Sequence, residues 1–147
     1  MAAAGAALVV AGCGGHAQVG VDEQGRPAKG LVTAAAAYAT ALARGDRAGL
    51  AAMNAPGYRQ DRLAATLNRY GGHPVRAKRY AGENAVGASV RYAVDCGSNR
   101  QVSFWQPFFY VKGTWRPALG GPVGTQRTKL PTASPPAVSS GASPSGC

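Results

Sequence analysis

The sequence predicts an α+β domain, with N-terminal helices packed on an antiparallel sheet. Three observations predict it. Apolar residues recur with a helical period from Leu31 to Tyr70, the period falls to two after His73-Pro74, and all eleven aromatic residues lie between Tyr38 and Trp115. The 147 residues suit one domain, and 46% apolar residues suffice for a core, which excludes a wholly disordered polyelectrolyte. No apolar run has the length of a membrane-spanning helix.

The first helix runs over residues 31–44, with Leu31, Ala35, Tyr38 and Leu42 on one face and Ala at most other positions. Gly45 is a natural stop, and Asp46 caps a short second helix through Met53 that buries Leu50 and Met53. This helix breaks near Pro56-Gly57. A third helix over 61–70 starts at Asp61, read as its N-cap, turns Leu63, Leu67 and Tyr70 inward, and ends at Gly71-Gly72.

Residues 75–81 form a short basic edge strand with Arg76, Lys78 and Tyr80 on one side. Residues 85–96 alternate cleanly, placing Val86, Ala88, Val90, Tyr92, Val94 and Cys96 on one face and Arg91 and Asp95 on the other. Gly97-Ser98-Asn99 turns into an aromatic-rich strand over 101–111, with a bulge expected at Pro107. Lys112-Gly113 then makes a tight hairpin to Thr114-Trp115-Arg116.

The folding unit is therefore residues 31–119. Residues 120–147 hold five Pro, five Ser and five Gly with no aromatic, a composition that predicts a disordered tail. Residues 13–30 are polar and Gly-rich and read as a flexible leash. Ahead of them stands the apolar stretch AAAGAALVVAG, and Val10-Ala11-Gly12-Cys13 resembles the lipobox of bacterial lipoproteins. That resemblance implies a signal peptide over 1–12, cleaved before Cys13, and a diacylglycerol thioether on Cys13. No basic residue precedes Arg26, so the signal peptide reads as incomplete. Thirty Ala, no Ile and twelve Arg against four Lys resemble the coding bias of a GC-rich bacterial genome.

With Cys13 acylated, Cys96 and Cys147 remain. Export permits a disulfide between them; alternatively Cys96 is buried on its strand face and Cys147 ends a loose tail. No Cys/His spacing points to a metal, and no cofactor is expected.

The run from Ala37 to Asp46, AYATALARGD, resembles the opening helix and small-Gly-Asp corner of the nuclear transport factor 2-like superfamily. Residues 110–116, YVKGTWR, look like that superfamily's closing hairpin. The resemblance implies a strongly curved sheet forming a cone, with helices closing a central pocket. Members include isomerases, dehydratases, polyketide cyclases and non-enzymatic binding domains, so the fold does not choose a function.

The family's enzymes generally place a carboxylate or His inside the cone. Here Asp46 and Asp61 read as helix caps, Glu83 sits in a turn, Asp95 lies at a strand end, and His16 and His73 fall in connections. No catalytic residue is assigned. Tyr38, Tyr92 and Trp105 are candidate pocket-lining aromatics, which would make an enzyme acting on a small apolar molecule the alternative.

Sixteen Lys+Arg against six Asp+Glu give a net charge of +10, of which +8 lies within 31–119. Arg59, Arg62, Arg69, Arg76 and Lys78 are candidates for one basic patch. On an anchored protein such a patch faces anionic lipid or a cell-wall polymer. Nucleic acid is not expected, since no binding motif accompanies the charge. The expectation is an exported, lipid-anchored accessory or binding protein at the outer face of the cytoplasmic membrane.

Overall fold

The computed structural model describes residues 19–119 and 146–147. The lipobox Val10–Cys13 and residues 120–145 of the tail lie outside the described residues. Three helices are followed by four strands: α1 (Lys29–Ala43), α2 (Arg47–Met53), α3 (Gln60–Tyr70), β1 (Val75–Asn84), β2 (Gly87–Asp95), β3 (Gln101–Val111) and β4 (Thr114–Pro117). The strands form one antiparallel meander in chain order, and the helices pack on one of its faces.

The helical period is realised as read. Leu31, Ala35, Tyr38 and Leu42 are all fully buried. Gly45 takes a φ of 66°, a conformation that favours glycine, and the Asp46 carboxylate accepts a hydrogen bond from Gly49 N at 2.8 Å. Leu50 is fully buried and Met53 only half-buried. The start of α3 differs from expectation. Arg59, not Asp61, is the N-cap residue. The Arg59 N–H is held by Leu119 O at 3.0 Å, so the backbone turns helical directly after it. Asp61 falls within the first turn and pairs with Arg59 at 2.6 Å.

In β2, Ala88, Val90, Tyr92 and Val94 are fully buried against the helices. Val86 lies in the preceding turn, 53% exposed, because the strand begins only at Gly87. Edge strand β1 is longer than expected and its register with β2 shifts between Ala77 and Arg79. Lys78 is the extra residue. The shift turns Tyr80 to the core side opposite Val90, instead of sharing a side with Arg76, and sets Arg79 opposite Arg91 on the outer side.

Pro107 makes no bulge: pairing of β2 with β3 runs unbroken from Gly87–Phe109 to Asp95–Gln101. The N and C=O of one strand residue project to the same side. The Pro107 carbonyl meets Ala118 N at 2.9 Å, so its missing N–H faces the point where β4 has just ended. The uninterrupted central pair also corrects the expected cone. The sheet is not strongly curled, since its only register shifts sit in the edge strand and nothing bends β2 and β3.

Lys112 and Gly113 both adopt positive φ, as a two-residue hairpin turn requires. Residues 20–28 close a turn ahead of α1, with a bridge between Val21 and Pro27. Its Asp22 carboxylate accepts from Gln24 N and Arg26 N. Gly20 packs against the Trp115 ring so closely that a Cβ there would lie 2.6 Å from Cη2. Cys96, just past β2, is joined by a disulfide to Cys147. Cys147 N donates to Arg69 O at 2.9 Å, and Arg100 donates to Gly146 O.

Candidate functional site

The interior is occupied by aromatic rings; the Tyr38 and Tyr92 hydroxyls are matched within the fold, whereas the buried Trp115 Nε1 has no partner among the described residues. The Tyr38 hydroxyl donates to Gln106 Oε1 and the Tyr92 hydroxyl to Ala35 O, each at 3.0 Å. Gln106 uses its amide nitrogen on Pro107 O and Ala118 O. Tyr38 lies 5.3 Å from Tyr92 and 5.9 Å from Phe108, and Tyr92 stacks on Phe104, which stacks in turn on Tyr70. Burial pushes both the Tyr38 and Tyr92 phenols far above their ordinary value. Two candidate pocket-lining aromatics are thus packed side by side in the core. The third, Trp105, is on the opposite side of the sheet and 48% exposed.

That opposite side, which the helices leave uncovered, carries most of the chemistry. Register and bulge align Arg79 of β1, Arg91 of β2 and Trp105 of β3 in one row across three strands. Arg76 lies on the same side, and Lys78 projects from the bulge beside it. Lys78, Arg79, Arg91 and Ser103 line a polar hollow of about 470 Å³. Arg91 leans along β3 and donates to Ser103 Oγ through Nε and Nη2 at 3.3 and 3.0 Å.

All six Asp and Glu side chains lie within the described residues. The ion pairs there are Arg26–Asp22 and Arg59–Asp61, so none of the cations on the open sheet side is neutralised by a carboxylate. Two carboxylates share this side without pairing with a cation there. Glu83 accepts from Ser89 Oγ at 2.5 Å, and Asp95 accepts from Gly97 N at 3.0 Å.

The other half of the uncovered side is mainly apolar, with Arg116 of β4 opposite Phe109 the exception. Phe109 and Val111 of β3 share a groove of about 370 Å³ with Ala55, Pro56, Tyr58 and Leu119. The α2–α3 connection is held there by Ala55 N donating to Pro117 O at 2.8 Å and Arg59 N to Leu119 O. Trp105 stands at the seam between the cationic and apolar halves.

The five candidate patch residues divide between two layers. Arg59, Arg62 and Arg69 are exposed on the helical layer, whose α3 stacks on the inner side of the sheet through Tyr70 and Phe104. Arg76 and Lys78 belong to the edge strand with Arg79. Arg91, which the alternation already set on the polar row of β2, completes the outer cluster. Only cross-strand register reveals this juxtaposition.

A second cavity, about 600 Å³ and mainly apolar, lies between α1 and the β3–β4 hairpin. Ala34, Ala37, Met53, Tyr110 and Trp115 line it, with Lys29 at one end. Small residues on this strip of α1 keep the helix from filling the space. Among the described residues, no group of three or more His, Cys, Asp or Glu is arranged to hold a metal ion.

No protein-family model matches the chain, and neither a curated protein nor a solved structure shows significant similarity to it.

Proposed function

We propose that this chain is an exported protein, anchored through a lipid on Cys13 at the outer face of the cytoplasmic membrane, with an accessory or binding role. The observation that carries the binding role is the cluster of four unneutralised cations, Arg76, Lys78, Arg79 and Arg91, on the sheet side that no helix covers. A cationic surface whose charges no carboxylate neutralises suits an anionic surface or polymer outside it. The Tyr38 and Tyr92 hydroxyls are engaged within the fold, which favours binding over catalysis. Detergent-phase partitioning of the expressed protein tests the anchor: wild type is expected in the detergent phase and Cys13→Ser in the aqueous phase. An aqueous wild type overturns the anchor.

A second reading, binding of a small apolar molecule, is favoured by the cavity between α1 and the hairpin. An enzyme of nuclear transport factor 2-like type is the catalytic form of that reading. Kinship with that superfamily rests on the α1–Gly45–Asp46 corner and the closing hairpin, without its cone. Saturable uptake of an apolar fluorescent probe, lost when Ala37→Trp fills the cavity, supports this reading; uptake unchanged in that variant removes it.

A further inference from the structure

We infer that the uncovered side of the sheet is a bilayer-docking face, with Trp105 entering the interfacial region of an anionic phospholipid membrane. This deepens the proposed function and rests on its export and anchoring.

Three features of the face fit a lipid surface. It is two-part: unneutralised Arg76, Arg79 and Arg91 lie toward β1, and the apolar groove with Phe109 lies toward β4, where Arg116 stands opposite Phe109. Trp105 occupies the seam, half exposed in a position where no core requires it. An aromatic ring flanked by arginines on one side and apolar groups on the other matches the layered chemistry of headgroup and acyl boundary. The sheet is not strongly curled, so its outer side meets a planar surface over several strands. Strand-bound nucleic acid wants a series of stacking rings along a groove; this face offers one exposed Trp.

Chain length permits the same geometry. Five residues lie between Cys13 and Val19, and the six Cα-to-Cα steps span no more than about 22 Å however they run. A tether of this length keeps the domain within reach of the headgroups, so that docking of the face becomes an intramolecular step.

The test uses the full chain carrying Cys13→Ser, so that docking is read without the anchor. Sedimentation with vesicles of phosphatidylglycerol and phosphatidylcholine is compared with phosphatidylcholine alone. Binding to the anionic vesicles is expected, with Trp105 fluorescence shifted to the blue and quenched by brominated acyl chains. Trp105→Phe should abolish the quenching, since the remaining Trp115 is buried in the core.

Arg79→Gln with Arg91→Gln should weaken vesicle binding by about thirty-fold, from roughly five-fold per charge. Arg62→Gln with Arg69→Gln, the same charge loss on the helical layer, should change it by less than about three-fold. Circular dichroism of each variant establishes that it is folded. Equal loss in both double variants, absence of Trp105 quenching, or tighter binding to single-stranded DNA than to anionic vesicles would each overturn the docking face. An aqueous wild type in the detergent experiment overturns the anchor alone, so the two failures are distinguishable.

Discussion

Tyr38 and Gln106, sixty-eight positions apart in the chain, meet in the core through a 3.0 Å hydrogen bond from the phenol to Oε1. The contact ties α1 to the middle of β3. Gln106 is 2% exposed, and its amide also holds Pro107 O and Ala118 O. Tyr38→Phe leaves Oε1 buried without a donor, which costs about 1–3 kcal/mol. Gln106→Ala removes the partner of the buried Tyr38 hydroxyl and of Ala118 O, and one of the bonds to Pro107 O, and should cost more. Urea unfolding of both variants checks the order; equal midpoints for Gln106→Ala and wild type would refute it.

Alkaline pH should attack the same region. Desolvation raises the Tyr38 and Tyr92 phenols well above the ordinary value of about 10. The folded state therefore keeps these protons where the unfolded chain releases them. The resulting stability is complete below a pH of about 10 and is lost as the pH rises from there toward the raised folded values. Urea midpoints measured from pH 8 to 11, alongside phenolate absorbance, should fall only above the ordinary phenol range. Ionisation of all six tyrosines without loss of stability would contradict the burial.

Gly20→Ala should destabilise the fold although the site lies outside every helix and strand. Its new methyl would meet the Trp115 ring edge and the Ala88 Cβ, at 2.6 and 3.1 Å. Both neighbours are themselves buried, so little room exists to yield. A loss of about 1–3 kcal/mol is expected in thermal or urea unfolding. An unchanged midpoint would mean that the segment before α1 detaches at no cost.

Reduction provides a fourth check. Cys96 and Cys147 close a loop with a sequence separation of 51, and the chain-entropy model assigns such a crosslink about 4 kcal/mol. Reductant and Cys147→Ser should lower stability alike. A reductant effect that persists in Cys147→Ser would point to a different pairing.

Periodicity made the inner layer legible. Leu31, Ala35, Tyr38 and Leu42 could be assigned because one helix face is apolar and the rest is mostly Ala, and β2 because its alternation is strict. The faces of β3 resisted assignment because both are apolar at its C-terminal half. Phe104, Phe108 and Tyr110 face the helices, whereas Phe109 and Val111 line the outer groove with Tyr58 and Leu119. The bulge at Lys78 was hidden for another reason. In Arg76-Ala77-Lys78-Arg79-Tyr80 two long cations adjoin, and either suits an exposed edge, so hydropathy does not fix the register. The missing curvature is a property of the β2–β3 pairing, which no single strand encodes.

The candidate site was legible residue by residue but not as an assembly. Arg76, Lys78 and Arg91 were all evidently polar-side residues, yet their grouping with Trp105 depends on the shift that sets Arg79 opposite Arg91. The patch expected from sequence proximity instead spans two layers.

The bulge in β1 also bears on how copies of this protein tolerate one another. A sheet edge is a template for a neighbour's strand, and concentrating molecules on a surface multiplies such encounters. At the far edge, β4 ends at Pro117, and Pro117 O and Leu119 O are already engaged by Ala55 N and Arg59 N. At the near edge, Lys78 breaks the register midway and stands between Arg76 and Arg79, so an approaching second β1 meets an interrupted ladder and a row of like charges. The irregularity that aims the cations outward also keeps crowded neighbours from zipping together.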